Sequence, residues 1–213
     1  MDWTYLNDSY FKKEDVKISP FDRGFLFGDA VYEVIPVYDG RAFLFSEHIT
    51  RLEQSLSITG ISKPQVWNQI PEIINKLIKK NLKQNQTIYL QITRGVDVIR
   101  SHLANRDIKS TLFISSSELK VNPYRMKPNK PGLEVKTMED PRWQRCDVKA
   151  VTLLSNIMAL EEANSEEKDD VIFHRNGKVT EAASSNVFAV FGESIVTPPI
   201  SQKILSGITR DYV

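Results

Sequence analysis

Clusters of β-branched and aromatic residues, bounded by turn residues, predict most of the strands in this chain. The clearest cluster, residues 30–38, stops at Asp39-Gly40, a dipeptide typical of tight hairpin turns. Residues 41–45 are therefore predicted to form the return strand. A second hairpin is predicted around Asn176-Gly177, with strands over 170–174 and from 178 onward. Further strands are predicted over residues 87–93, 111–116, 133–138, 149–153, 186–191 and 194–197.

Apolar residues at helical spacing predict three helices. The first lies between Ser46, which can cap its N-terminus, and Gly60, which can end it. The second covers residues 66–82, where Pro71 is expected to start or kink the helix. The third is predicted over residues 156–166.

Residues 121–132 separate two stretches of ordinary globular composition. This segment has three prolines and no apolar period, which is typical of a linker or an exposed loop. We therefore predict a two-lobed α/β or α+β protein, with an N-terminal α/β lobe over residues 1–120 and a second lobe over 133–213. The residues from Gly207 onward resemble the first turn of a helix that is too short to pack, so we expect the chain to be incomplete at its C-terminus.

The composition excludes several classes of protein. The 28 Lys and Arg residues balance 27 Asp and Glu residues, and a net charge of +1 argues against nucleic-acid binding. The longest uncharged runs have 11 residues, short of the ~18 that a membrane span requires. The N-terminus has no apolar region typical of a secretory signal. A single cysteine, Cys146, fits a reducing compartment, and the three histidines lack metal-ligand spacing. These features favour a soluble, cytoplasmic protein without a metal.

Lys149 is the first candidate for chemistry. It lies among apolar residues, and burial of an ammonium group costs free energy unless its pKa falls. A lysine with a lowered pKa is what Schiff-base chemistry needs. The alternative is a lysine at the end of a strand with its ammonium group in water.

Four further segments each have a functional and a structural interpretation. Residues 22–29 lack the glycine spacing of a nucleotide-binding loop and are predicted to form a structured turn. Arg100-Ser101-His102 can hold a carboxylate or form a polar loop. Residues 180–186 can form an active-site floor or a bulge. The helix start at 207–209 can bind phosphate through free N–H groups, although such starts are common.

Taken together, these segments resemble the fold-type IV family of pyridoxal-phosphate (PLP) aminotransferases, which includes the D-amino-acid and branched-chain enzymes. The resemblance covers nearly the whole chain. It implies that family's two-lobed fold, with a smaller N-terminal and a larger C-terminal lobe, PLP as cofactor, and a homodimer. Family members continue beyond the point where this chain stops. The matching segments, in the family's order, are residues 22–33, 47–52, 145–149, 180–188 and 204–210.

The resemblance assigns catalytic roles residue by residue. Lys149 matches the lysine that forms the internal aldimine and moves the proton between the substrate Cα and C4′ of the cofactor. Glu181 matches the carboxylate that pairs with the protonated pyridine nitrogen and keeps the ring an electron sink. Arg51 matches the arginine that binds the cofactor phosphate. The other implied cofactor contacts are the ring-packing Leu205, the helix-start amides of Ile208 and Thr209, and the floor residues Ser184 and Ser185.

The resemblance also points to a class of substrate. Arg100-Ser101-His102 resembles the carboxylate trap of D-amino-acid aminotransferases, in which Arg100 and His102 would work with Tyr32. Tyr32-Glu33-Val34 has the D-enzyme form of its motif, and we count Tyr32 among the catalytic residues. The leading hypothesis is transamination of D-amino acids, of the D-alanine type, with a 2-oxo acid acceptor. The alternatives are a 4-amino-4-deoxychorismate lyase, a branched-chain aminotransferase, and a PLP-free binding protein that Lys149 and Glu181 together disfavour.

Overall fold

The chain divides into two units. A computed structural model describes residues 2–105, 107–119 and 132–213. The first unit comprises residues 1–120 and 149–152, and the second comprises 121–148 and 153–213.

The two units differ from the predicted lobes in the placement of residues 149–152. The sequence assigned it to the C-terminal lobe, whereas its contacts group it with the first unit. The reason is a bridge between Ala150 and Val31, and a hydrogen bond from the Val151 N–H to the Ala30 carbonyl at 3.2 Å. The predicted linker over 121–132 lies, apart from Gly132, outside the described residues.

A six-stranded antiparallel sheet forms the first unit, in the order β2-β1-β6-β5-β3-β4. Its strands are β1 (Trp3–Leu6), β2 (Ser9–Lys12), β3 (Ala30–Tyr38), β4 (Arg41–Ala42), β5 (Gln86–Thr93) and β6 (Thr111–Glu118). The hairpin of β1 and β2 was not predicted. The return strand β4 is shorter than predicted, because Leu44 adopts a left-handed conformation (φ 47°) and a helix begins at Phe45.

Two helices cover one face of this sheet: α2 (Phe45–Thr59) and α3 (Ile70–Asn81), the latter preceded by a 3₁₀ turn at Trp67–Gln69. A short helix, α1 (Arg23–Phe27), precedes β3 in the chain. Helix α2 packs on β3, and α3 packs on β1 and β6. Alternate strand residues point to opposite faces, so Val31, Glu33 and Ile35 are fully buried on the helix side, whereas Tyr32 lies on the other side.

The second unit contains a three-stranded sheet in the order β7-β8-β9. Strand β7 (Val135–Glu139) runs parallel to β8 (Asp170–Arg175), and α4 (Leu154–Ser165), which lies between them in the chain, packs on β8. Strand β9 (Lys178–Ala182) pairs with β8 across Asn176-Gly177, whose positive φ angles of 51° and 70° suit a tight hairpin. A second hairpin and a last short helix follow: β10 (Ala189–Phe191), β11 (Ser194–Val196) and α5 (Ile208–Tyr212).

The predicted strand over 149–153 is wrong. Only Ala150 makes a bridge there, and α4 begins at Leu154, two residues earlier than predicted. Lys149 therefore precedes an isolated bridge instead of lying within a strand. Across the described part of the chain, no helix has the length and apolar character that a bilayer crossing needs.

Candidate active site

Lys149 has a fixed backbone in the first unit. Its carbonyl accepts a hydrogen bond from the Tyr32 N–H at 3.0 Å, and its own N–H donates to Ser55 Oγ at 3.3 Å. The Lys149 Nζ lies 4.4 Å from the centroid of the Tyr32 ring. Two residues that the sequence predicted for the site are thus in contact.

Tyr32, Tyr89 and Phe113 form a row of aromatic side chains on the sheet face opposite the helices. The Tyr89 ring is 5.7 Å from that of Tyr32 and 6.4 Å from that of Phe113, and its hydroxyl donates to Gln91 Oε1 at 2.6 Å. Burial raises the pKa of Tyr89 to about 12. Burial, and then the charge of Glu33, also raise the pKa of Tyr32. Both phenols therefore stay protonated at neutral pH and can act as hydrogen-bond donors.

Arg51 is held by a buried carboxylate on the helix side of the same sheet. Its Nε and Nη2 donate to the two oxygens of Glu33, each at 2.7 Å, and His48 Nδ1 lies 2.7 Å from Glu33 Oε2. Burial alone raises the pKa of Glu33, but the hydrogen bonds from Arg51 and His48 outweigh it, and the net pKa is lowered. The guanidinium of Arg51 therefore has a defined orientation. No role was predicted for Glu33 or His48 from the sequence.

Arg100 and His102 lie in an exposed loop and contact the same aromatic ring. The Arg100 Cζ is 4.9 Å from the centroid of the Phe27 ring, and the His102 ring centroid is 5.6 Å from it. The structure therefore brings these two predicted residues together. The contacts described for Tyr32, their predicted partner, are with Lys149 and Tyr89.

Glu181 is the buried carboxylate of the second unit, with a relative exposure of 5%. Its Oε1 accepts a hydrogen bond from Arg142 Nη1 at 2.6 Å. Its Oε2 accepts from the Leu205 N–H at 3.0 Å and from Asn186 Nδ2 at 3.2 Å. Burial raises the pKa of Glu181, and Arg142 offsets that effect only in part. A further cationic donor would therefore stabilise the ionised form of Glu181.

Arg142 links Glu181 to a second buried acid. Its Nε and Nη2 donate to the two oxygens of Asp140, each at 2.9 Å, and Asp140 also accepts from Arg175 Nε at 3.0 Å. The guanidinium lies 4.8 Å from the centroid of the Phe173 ring. No role was predicted for Arg142 from the sequence. The available signal was an acid-proline-arginine run, Asp140 to Arg142, which begins two residues after the predicted strand 133–138.

The remaining predicted cofactor residues also belong to the second unit. Leu205 contacts Glu181 through its N–H, and its carbonyl accepts from Asn186 Nδ2 at 3.0 Å. Gly207 caps α5, and a Cβ there would lie 1.9 Å from Asn186 Oδ1, so a side chain does not fit. Ser184 and Ser185 lie in the exposed turn after β9. Helix α5 begins at Ile208, followed by Thr209, and the first N–H groups of a helix have no partner within it.

The residues present fit PLP. A primary amine is available at Lys149 to bind an aldehyde. An ionised carboxylate offers about four acceptor sites, and Glu181 uses three of them for Arg142, Asn186 and Leu205. Counting donors from the described part of the chain, one acceptor site is therefore left for a ring N–H. Arg51 supplies a guanidinium, a group whose planar N–H donors suit phosphate oxygens.

The fold and these residues fit a pyridoxal-phosphate type of enzyme, and comparisons with known proteins identify its family. The profile of the family "Amino-transferase class IV" matches residues 30–213. D-alanine aminotransferase from Staphylococcus haemolyticus is 35% identical over 209 residues, which is 98% of this chain and 73% of that protein. D-alanine aminotransferase from Listeria monocytogenes is 34% identical over 208 residues, with 98% and 72% covered.

Solved structures share the fold. Branched-chain amino acid aminotransferase from Escherichia coli has a TM-score of 0.87 at 23% identity, over 99% of this chain and 72% of that one. A hypothetical aminotransferase from Mycobacterium tuberculosis, in its PLP-bound form, has a TM-score of 0.78 at 21% identity, over 98% and 75%.

The chain belongs to the class IV aminotransferases and is a PLP-dependent aminotransferase with the fold-type IV architecture. The predictions of the family, the fold class, the enzyme type and the cofactor are thereby confirmed.

Proposed function

We propose that this aminotransferase transfers the amino group of D-amino acids, of the D-alanine type, to a 2-oxo acid. D-alanine aminotransferases are about 35% identical to it over 98% of the chain. The observation that carries the proposal is the contact of Lys149 Nζ with the Tyr32 ring at 4.4 Å. This contact places the candidate catalytic amine of Lys149 beside Tyr32, the first residue of the Tyr32-Glu33-Val34 motif that has the D-enzyme form.

Lys149 is proposed to bind the cofactor through its amine and to move a proton between the substrate Cα and the cofactor C4′. When bound, PLP supplies an electron sink for the negative charge that develops at Cα. The hydrogen bonds of Lys149 to Tyr32 and Ser55 fix its backbone, and its Nζ lies against the Tyr32 ring. The Tyr32 hydroxyl, protonated at neutral pH, is available as a donor to the substrate.

Glu181 is proposed to accept the hydrogen bond of the protonated ring nitrogen. A positively charged ring nitrogen beside Glu181 would stabilise its buried carboxylate further, because Arg142 offsets the cost of burial only in part. Arg51, oriented by Glu33, is proposed to contact the phosphate, together with the α5 start. The remaining proposed cofactor contacts are Ser184, Ser185, Leu205, Ile208 and Thr209.

Arg100 and His102 are proposed to bind the substrate α-carboxylate. Both side chains rest on Phe27, so a guanidinium and an imidazole are presented from one loop. A guanidinium can bind a carboxylate through two parallel hydrogen bonds, and the imidazole supplies a further donor.

Arg100→Ala is expected to lower kcat/KM for D-alanine by roughly one to two decades, because losing a charge-assisted contact costs about 1.5–3 kcal/mol. Cofactor affinity should hardly change. Steady-state kinetics with D-alanine, together with equilibrium dialysis of the cofactor, measure the two quantities. If kinetics stay within error of wild type, Arg100 belongs to an ordinary exposed loop and the carboxylate assignment fails.

Arg51→Ala is expected to weaken cofactor binding first, the opposite of the pattern expected for Arg100→Ala in the same assays. Weak retention of the cofactor should be its primary defect, and the defect in turnover should recover at high cofactor concentration. If Arg51→Ala retained the cofactor as wild type does, the phosphate assignment would be wrong.

Absorption spectra and a product assay on the wild-type enzyme distinguish the proposed activity from those of related enzymes. Bleaching of the cofactor band by D-alanine and not by L-alanine supports D-amino-acid transamination. Bleaching by L-leucine favours a branched-chain enzyme. Release of pyruvate from aminodeoxychorismate without transamination of D-alanine favours the lyase.

A cytoplasmic homodimer is also proposed. The bridge from Asp22 to Val96 joins two segments that carry exposed apolar side chains, among them Phe25 at 75%, Val98 at 91% and Leu103 at 85%. Exposed apolar surface of this kind is typical of protein–protein contacts. Light scattering on the purified protein should give the dimer mass. A strictly monomeric enzyme with full activity contradicts the proposal.

A further inference from the structure

Arg23 is a buried arginine that reaches a distant loop. It lies in the first turn of α1, and its side chain has a relative exposure of 5%. The Nη1 and Nη2 atoms donate to the carbonyls of Ser101 and His102, at 2.5 and 2.9 Å. The two contacted carbonyls thus belong to the segment that carries Arg100 and His102.

The fork of the guanidinium suits this arrangement. Its N–H groups point in fixed directions within one plane, so two successive carbonyls can be held at once. The Arg23 Cζ also lies 4.8 Å from the centroid of the Phe27 ring. Phe27 in turn contacts the side chains of Arg100 and His102. The backbone of the loop therefore rests on Arg23, and its side chains rest on Phe27.

Helix α1 is a firm support for both residues. The Asp22 side chain caps it through the Gly24 N–H at 2.8 Å. The other oxygen of Asp22 accepts from Thr93 Oγ1 at 3.0 Å and Thr111 Oγ1 at 2.7 Å. The start of α1 is thus tied to β5 and β6, and the backbone N–H of Arg23 donates to the Gly95 carbonyl at 2.9 Å.

Asp29 balances the buried charge of Arg23. Its Oδ2 accepts from Arg23 Nε at 2.9 Å, and Arg94 binds the same carboxylate through Nε and Nη2 at 2.8 and 3.0 Å. The other bonds of Arg94 run to the carbonyls of Thr59 and Gly60. Arg23 and Arg94 thus share one acid but hold different segments, which makes Arg94 a matched control.

We propose that Arg23 is the positioning residue that holds the loop of Arg100 and His102 in its substrate-binding geometry. The inference rests on the proposed binding of the α-carboxylate by these two side chains. Accurate placement of a binding group contributes strongly to turnover at low substrate concentration. Residues 22–29 were predicted to form a structured turn and belong to a segment that carries the family resemblance, and the proposal gives Arg23 a specific role within them.

The test compares the holoenzyme variants Arg23→Gln, Arg23→Lys and Arg94→Gln with wild type. Hydrogen exchange read by mass spectrometry reports on peptides covering 97–105, and kinetics report KM and kcat for D-alanine. Arg23→Gln is expected to speed exchange in that loop and to raise KM about tenfold, with a much smaller change in kcat. The cofactor band should be unchanged. Arg23→Lys keeps the charge but not the fork, so it should fall between wild type and Arg23→Gln.

Arg94→Gln should leave both loop exchange and KM close to wild type. Equal effects of Arg94→Gln and Arg23→Gln would overturn the proposal, because the cause would then be the shared ion pair with Asp29. Unchanged loop exchange in a folded Arg23→Gln, or in Arg23→Lys if Arg23→Gln does not fold, would also overturn it. Failure of the carboxylate assignment has a different signature: Arg100→Ala would leave KM unchanged while Arg23→Gln still loosened the loop.

Discussion

Lys149→Ala is expected to abolish transamination and the absorption band of the lysine-bound cofactor, while the protein stays folded. The amine is proposed both to anchor the cofactor and to move the proton, so no remaining group performs either task. The loss should reach at least about 10⁴-fold, the upper range for a single acid–base group. The fold should persist, because the hydrogen bonds of residue 149 to Tyr32 and Ser55 come from its backbone. Absorption spectra, circular dichroism and steady-state rates measure these outcomes.

Lys63→Ala is the matched control for this experiment. Its Nζ lies 4.9 Å from the centroid of the Trp67 ring, so it has the same kind of cation–aromatic contact at an exposed position. It should keep the cofactor band and full activity. Substantial turnover by Lys149→Ala without an added amine would refute the assignment of Lys149.

Elements whose structure is set by residues within one segment could be predicted from the sequence alone. The run at 30–38 became β3 over Ala30–Tyr38, because its β-branched and aromatic residues fit a strand buried on one face. Pro71 occupies the start of α3, where its missing N–H costs nothing. Asn176-Gly177 forms its hairpin for the same local reason, since both residues tolerate positive φ.

Structural features that depend on contacts with residues distant in the chain could not be predicted from the sequence. Helix α1 has five residues, too few for a period, and its Asp22 cap is stabilised by Thr93 and Thr111, which are 71 and 89 positions away. The strand predicted at 149–153 failed because a single bridge replaces a ladder there. Local propensity carries no information about such tertiary contacts.

The same distinction between local motifs and distant contacts holds for the residues of the candidate site. The family motifs pointed to Lys149 and Tyr32, which are in contact in the structure. The partner of Glu181 escaped the sequence analysis, because Arg142 lies 39 positions away and only the fold brings its guanidinium to the carboxylate. Glu33, 18 positions from Arg51, had no assigned role until the structure showed the pair. Candidate functional side chains could therefore be proposed from motifs, whereas the residues that contact and orient them could not.

Glu181→Gln is expected to retain the cofactor but to slow proton transfer at the substrate Cα by about 10²-fold or more, the scale of one preorganised electrostatic contact. A neutral amide no longer favours a protonated ring nitrogen, so the electron sink weakens. Retention should persist because Lys149 and Arg51, the proposed anchors, are untouched. Arg142 keeps its two bonds to Asp140 in the variant, which limits structural damage.

Single-turnover kinetics with D-alanine and with its Cα-deuterated form measure this step directly. A larger isotope effect in Glu181→Gln than in wild type would show that proton transfer has become more rate-limiting. Glu139→Gln is the control, because Glu139 belongs to the same unit but its side chain is 62% exposed, and its rate should match wild type. If Glu181→Gln kept the wild-type rate and isotope effect, the pyridine nitrogen would have another partner, and the buried pair with Arg142 would serve only to stabilise the second unit.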